Sequence, residues 1–355
     1  MQFKSLIFFW CCFLSSSFIY AQQDLFKIAP TQIPLNQVEK YTLPPVDNEQ
    51  LQQELAIEKG SNKTLIFAHP FEVDITPSTH GTWEQLGSDL MVWRLRILSK
   101  DAYSLNLGFS DFYLPKQTKL LLYDADQKEV LGPFDKNNNS DYSQLWTPIL
   151  ESDEIVIELQ VPVSLKNQVI LQLSRVNHDF VNLSTALSGE CNLDAICGTG
   201  DGFDLNDKYR ELFDAVALIN VGGFKACTGF LVNNTQQDCR QFFMTGNHCG
   251  VSPDQAPSVV IYWDYQNSVC RDTNTVVSGN TGDGLKTIFN TGTFYRASYR
   301  NTDLSLLEIK DSIPAEVTTY YAGWDRSFET PSDTVVTVHH PRAEEKRVSY
   351  SFQET

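Results

Sequence analysis

Between residues 61 and 185, apolar and polar positions alternate in short runs broken by turn residues. Met91-Val92-Trp93-Arg94-Leu95-Arg96-Ile97-Leu98, Lys119-Leu120-Leu121-Leu122-Tyr123, Glu154-Ile155-Val156-Ile157-Glu158-Leu159 and Val169-Ile170-Leu171-Gln172-Leu173 are the clearest examples. Successive strand side chains point to opposite faces, so these runs predict strands, and their spacing predicts an all-β sandwich. The polar stretch Asp135-Lys136-Asn137-Asn138-Asn139-Ser140 reads as a loop inside it. The aromatic residues Trp83, Trp93, Trp146, Phe109 and Phe112 suit a core or a carbohydrate platform, and Trp93, inside an alternating strand, suits the core. From residue 186 onwards, Asp214–Val221, Ala226–Asn233, Gln241–Thr245, Val259–Tyr265 and Leu304–Ile309 predict further strands. Strong helical periodicity is absent, which favours a β-barrel over an α/β fold. Residues 22–60 are mixed and polar, with prolines at 30, 34, 44 and 45, and read as a leader or linker.

The N-terminus changes this picture. Lys4 precedes an apolar run from Leu6 to Leu14, three serines and Ile19-Tyr20-Ala21. That pattern predicts a secretory signal peptide over residues 1–21 and hence a secreted or cell-envelope protein. No later stretch is apolar enough for a membrane span, so no membrane contact is expected after cleavage. Cys11 and Cys12 leave with the signal. Cys191, Cys197, Cys227, Cys239, Cys249 and Cys270 remain, which predicts disulfides confined to the downstream region. With 42% hydrophobic and 20% charged residues the chain can bury substantial cores. Its formal net charge of −17 argues against nucleic acid as a partner.

Candidate chemistry lies in two places. Phe243-Met244-Thr245-Gly246-Asn247-His248-Cys249-Gly250 sets a histidine before a cysteine at the end of an apolar strand. Asn301-Thr302-Asp303-Leu304-Ser305-Leu306-Leu307-Glu308 sets an acid at the start of another. No CxxC pair or zinc-type spacing occurs, so neither a metal nor another cofactor is expected. His339-His340-Pro341 places adjacent histidines on opposite strand faces, a poor chelate, and reads as structural. Asp201, Asp204 and Asp207 do not meet EF-hand spacing and read as a turn.

The region 186–355 resembles the bacterial lysyl endopeptidases, secreted chymotrypsin-fold serine proteases. The resemblance runs through Cys191-Asn192-Leu193-Asp194, Ala226-Cys227-Thr228-Gly229-Phe230-Leu231-Val232-Asn233-Asn234-Thr235, the His248-Cys249-Gly250 strand end, Tyr262-Trp263-Asp264-Tyr265-Gln266-Asn267-Ser268, Ala322-Gly323-Trp324-Asp325-Arg326 and His339-His340-Pro341 with Glu345-Lys346-Arg347. It implies the first barrel and the start of the second barrel of a double β-barrel, behind a β-sandwich pro-region at 61–185. It implies His248 as general base and Asp303 as the acid that orients it, in the order histidine, aspartate, serine. It also implies pairing of Cys227 with Cys249 and of Cys197 with Cys270. Cys191 would take a partner beyond Thr355, and Cys239 either an absent partner or Cys191. Protein or peptide substrates are implied, and a monomer is expected. No Gly-Asp-Ser-Gly stretch, nor a serine in a Gly-x-Ser-Gly setting, occurs up to Thr355. The serine is therefore expected downstream, as is the acidic residue that would confer lysine specificity. The alternative is a non-catalytic secreted β-protein, either a pseudo-protease or a sandwich that binds protein or glycan. Gly246-Asn247 departs from the family's usual alanine-containing pair, a small change expected to leave the histidine in place.

Overall fold

A computed structural model describes residues 27–57, 64–183, 192–271, 279–327 and 334–352. The expected signal peptide and Cys191 lie outside these residues. The upstream elements are β1 (Lys40–Thr42), α1 (Asn48–Ile57), β2 (Leu65–Ile66), β3 (Ala68–Ile75), β4 (Thr82–Leu86), β5 (Leu90–Leu98), β6 (Leu105–Tyr113), β7 (Lys119–Asp124), β8 (Val130–Phe134), β9 (Leu145–Trp146), β10 (Glu154–Pro162) and β11 (Ile170–Asp179). One sheet runs β1-β5-β10-β7-β8, with β4 also on β5; the other runs β3-β11-β6-β9. The period-two pattern decides what faces inward. Trp93, Leu95 and Ile97 of β5 share one core with Leu105, Leu107 and Phe109 of β6 and with Ile155, Ile157 and Leu159 of β10. Each such side chain taken from water contributes about 1.5–3 kcal/mol. Trp93, Phe109, Phe112 and Trp146 are buried, whereas Trp83 is half-buried with the Lys166 ammonium 4.0 Å above its ring.

Residues 27–35, part of the stretch 22–60 expected as a leader or linker, run over the outer face of the first sheet, and Lys40–Thr42 join that sheet as β1. Arg94 donates to the Ile33 carbonyl at 2.6 Å. Glu158 accepts from the Ala29 amide and from the Tyr123 hydroxyl, each at 2.8 Å. Such a buried carboxylate is tolerable because both of its oxygens are hydrogen-bonded.

The downstream elements are β12 (Leu193–Asp194), α2 (Asp204–Phe213), β13 (Val216–Val221), β14 (Lys225–Val232), β15 (Phe242–Thr245), β16 (Val260–Tyr262), β17 (Phe289–Thr291), β18 (Thr293–Tyr299), β19 (Leu304–Ile309), β20 (Thr334–His339) and β21 (Arg347–Phe352). The large sheet runs β17-β16-β13-β14-β15-β19-β18. Its two ends, β17 and β18, are separated in sequence only by Gly292, at φ +84°. The sheet therefore curls on itself around Ala217, Ile219, Leu231, Phe243, Ile261, Trp263 and Leu307. The turn expected around Asp201 is present, and α2 follows it directly. A smaller sheet, β12-β21-β20, is held by buried charges. Asp194 accepts from Arg347 at 2.6 Å and from Arg271 at 2.7 Å. Among the described residues no helix is long and apolar enough to cross a membrane.

The sandwich and the curled sheet share a third cluster. Phe67, Ala68, Trp146, Ile149 and Leu183 come from one side; Leu218, Ala226, Val260, Tyr262 and Tyr265 come from the other. Asn106 donates to the Gly223 carbonyl at 2.8 Å, and Asn177 donates to the Asn106 side chain. Gly223 has φ +79°, and a Cβ there would lie 1.9 Å from Asn177 Nδ2, so only glycine fits this joint.

Candidate active site

The pairing of β15 with β19 sets the site. Thr245 is opposite Ser305, three residues before His248 and two after Asp303. The chain leaves β15 at Gly246 and forms a single tight turn, Asn247–Cys249, ended by Gly250 at φ +76°. On the other strand, the turn Arg300–Thr302 ends at Asp303 in the left-handed region, φ 52° and ψ 46°. That conformation is uncommon for residues other than glycine, with aspartate among the more tolerant.

The two side chains meet. Asp303 Oδ2 lies 2.6 Å from His248 Nδ1, and Asp303 Oδ1 accepts from the His248 backbone amide at 2.8 Å. One carboxylate thus grips both the ring and the backbone of the histidine. These bonds, the ring contact first, hold the Asp303 carboxyl below the usual carboxylate range. With Nδ1 donating to the acid, Nε2 is the nitrogen left to exchange a proton. Its described partners are disulfide sulfurs, weak acceptors, at 3.7 Å for Cys249 and 4.0 Å for Cys227. About half of each side chain of the pair is exposed, 48% for His248 and 54% for Asp303.

Among the described residues, Cys227–Cys249 ties β14 to the histidine turn, and Cys197–Cys270 lies in a separate cluster with Leu193, Phe213 and Val348. Cys239 is exposed and unbridged. Cys227, His248 and Cys249 place three potential metal donors within 4.8 Å of one another. The two sulfurs are bonded to each other, so only the histidine remains as a free donor. His340 is buried, stacked on Tyr265 at 5.8 Å, and its Nδ1 bonds the Glu344 carbonyl at 2.9 Å. Asp207 accepts from the Thr199 amide at 2.8 Å and so braces a turn.

Gly246 matters more than its size suggests. A Cβ at that position would lie 2.5 Å from His248 Cε1 and 2.6 Å from Nδ1. The imidazole occupies the space an alanine methyl would take. A further neighbour had no signal in the sequence pattern: Thr64 Oγ1 donates to the His248 carbonyl at 2.7 Å, across 184 residues of chain.

The nearly all-β architecture with its curled sheet is consistent with a chymotrypsin-like fold. Residues 185–355 match the family model described as Lysyl endopeptidase, C-terminal domain. Over 214 residues the chain is 27% identical to Lysyl endopeptidase of Pseudomonas aeruginosa, covering 58% of this chain and 45% of that protein. The chain thus spans less than half the length of that relative. Over these residues it is similar to the lysyl endopeptidases.

Proposed function

We propose that this chain carries the acid–base half of a secreted serine endopeptidase precursor, with residues 61–185 as its pro-region. His248 takes the proton of an attacking serine hydroxyl through Nε2 and returns it to the leaving amine. Asp303 holds the ring in the required tautomer and stabilises the imidazolium. The serine follows Asp303 in the order histidine, aspartate, serine, and lies beyond Thr355. The observation that carries this reading is the double grip of Asp303 on the His248 ring and amide. A solvated loop acid has no reason to fix both. Cleavage after lysine is supported by the name of the matched family and relative alone.

The test is Asp303→Asn in the complete gene product. Turnover of a lysine ester is expected to fall by about 10⁴-fold, because the amide favours the wrong tautomer. Unchanged hydrolysis would remove Asp303 from the mechanism and favour a non-catalytic β-protein. Residues 22–355 alone are expected to hydrolyse nothing, and clear amidase activity in them would contradict the placement of the nucleophile.

A further inference from the structure

Of the aromatic side chains that suit a carbohydrate platform, Trp83, Trp93, Trp146, Phe109 and Phe112, only Trp83 stays partly open. It walls a cleft of about 590 Å³ in the sandwich. That volume lies within the ~300–1,000 Å³ usual for small-molecule sites. Three parts of the sandwich meet there. Trp83 comes from β4 in the first sheet, Asp111 and Gln172 come from β6 and β11 in the second, and Lys166 and Asn167 come from the connection between β10 and β11.

The ring is held in place. Its indole N–H donates to the Pro77 carbonyl at 2.8 Å. The turn that supplies this carbonyl is itself fixed, because the Thr76 amide donates to Thr79 Oγ1 at 3.0 Å and Thr76 Oγ1 meets Ser78 Oγ at 2.7 Å. Around the ring the polar groups are unspent. Asp111 and Gln172 are direct cross-strand partners. Gln172 donates its amide to Asp74 at 2.7 Å, which leaves its side-chain oxygen to accept. Among the described residues, the Asp111 carboxylate and the Asn167 side chain have no hydrogen-bond partner in the protein, and the Lys166 ammonium has only the Trp83 ring. An exposed cation–π contact is worth about 0.5–1 kcal/mol, little enough for a ligand to displace.

A fixed aromatic face ringed by free donors and acceptors matches a pyranose, which has an apolar C–H face and a rim of hydroxyls that both donate and accept. Charge narrows the choice. Lys166 is offset by Asp111 within the lining and by Asp74 beside Gln172, on a chain of net charge −17, so an acidic glycan or a phosphate is disfavoured. We propose that this cleft binds a neutral oligosaccharide, with one hexopyranose stacked on Trp83 and its hydroxyls held by Asp111, Gln172 and Asn167. Such a site gives the upstream sandwich a binding role of its own. It needs neither His248 nor Asp303 and stands or falls independently of the triad.

The test is titration of the full chain with cellotriose, maltotriose and mannotriose, with trigalacturonate as the charged comparison, followed by calorimetry and by the Trp83 indole resonance. At least one neutral trisaccharide is expected to bind in the millimolar range or tighter and to shift that resonance. Trp83→Ala should weaken binding roughly tenfold or more. Asp111→Ala and Asn167→Ala, at exposed positions, should each weaken it severalfold while thermal stability stays unchanged. No binding of any neutral probe up to about 10 mM overturns the proposal, as does binding that all three variants retain in full. Tighter binding of trigalacturonate than of every neutral probe overturns the assignment to neutral glycans. If Trp83→Ala does not fold, the Asp111 and Asn167 variants decide, and undiminished affinity in both is the negative result.

Discussion

Trp93, Leu95 and Ile97 of β5 share their core with Leu105, Leu107 and Phe109 of β6, so the sandwich is closed by its own two sheets. The curled sheet closes one core in the same way, around Phe243, Trp263 and Leu307. Its outer face is different: Leu218, Ala226, Val260 and Tyr262 are covered by Phe67, Ala68, Trp146 and Ile149 of the upstream region. Every residue of β13 is buried, as expected of a strand covered on both faces. The sandwich therefore has what it needs for its own order, while the sheet that carries His248 borrows part of its cover. The contact that supplies the cover continues directly into the strand lying on β14. The β14 edge and part of the outer face are thus covered by one continuous stretch of the upstream chain.

The strongest way to break this comparison is Phe67→Ala. The side chain is fully buried at the centre of the shared cluster. Its truncation is expected to destabilise by about 3–5 kcal/mol. The loss should be felt unequally in hydrogen exchange: amides of β13, β14 and β16 lose protection, and those of β5, β6 and β10 keep theirs. Uniform loss across both regions would mean that the chain is one cooperative unit and that the asymmetry has no energetic content.

How much of this could be read from the sequence depended on the length of each signal. Strands of six to ten residues such as β5, β10, β13 and β19 carry enough period-two pattern to be placed to within a few residues. The histidine and aspartate were legible because each sits in a compact local motif at a strand end. The two-residue strand β2 has no room for a period, and its partner lies some 160 residues away. The helix α1 falls in a stretch whose prolines suggested a linker, and tertiary anchoring through Asn48 overrides that composition. The effect of Gly246 was also out of reach. Its backbone is ordinary, φ −68°, and the constraint comes from a ring two residues on.

A smaller effect sharpens the comparison from the sandwich side. His178 is buried, with Ser99 Oγ at 2.7 Å from Nδ1 and Asn48 Oδ1 at 2.8 Å from Nε2. Asn48 donates its own amide to the Asp101 carbonyl, so its oxygen faces the ring and accepts from Nε2. Burial, with some repulsion from His69, pushes the His178 pKa down to about 4. Between an unfolded value near 6.5 and this folded value, the unfolded chain binds a proton that the folded chain refuses. Stability contributed by the neutral ring is complete above about pH 6.5 and is lost as pH falls towards 4, on the order of 2–3 kcal/mol. His340 acts with the same sign in the curled region, where burial pushes its pKa down to about 3. The raw acid profile therefore mixes the two regions, and the difference made by His178→Asn isolates the sandwich. Urea unfolding of both proteins at pH 7 and pH 4.5 is the measurement. The variant should be less stable at pH 7 and show the shallower pH dependence; parallel profiles would remove His178 as an acid-sensitive point.

The smallest expected effect lies at the site itself. Gly246→Ala meets no backbone obstacle, and the reduced freedom of the unfolded chain favours alanine by about 0.4–1 kcal/mol. Against this, the new methyl needs the space of His248 Cε1 and Nδ1, at 2.5 and 2.6 Å. The obstacle is a side chain half open to solvent rather than backbone, so the ring can yield. Overpacking of 1–3 kcal/mol is the usual cost in a closed core, and an exposed ring should pay about 1 kcal/mol or less. Net stability should therefore change little, in contrast to Phe67→Ala. The local consequence is the sharper readout: the ring must rotate or shift to clear the methyl, and the Nδ1–Oδ2 contact of 2.6 Å must adjust with it. The His248 ring resonances should move while those of His178 and His340 stay in place. Unmoved His248 resonances in the alanine variant would show that the ring already clears that space, and that the glycine is there for the turn alone.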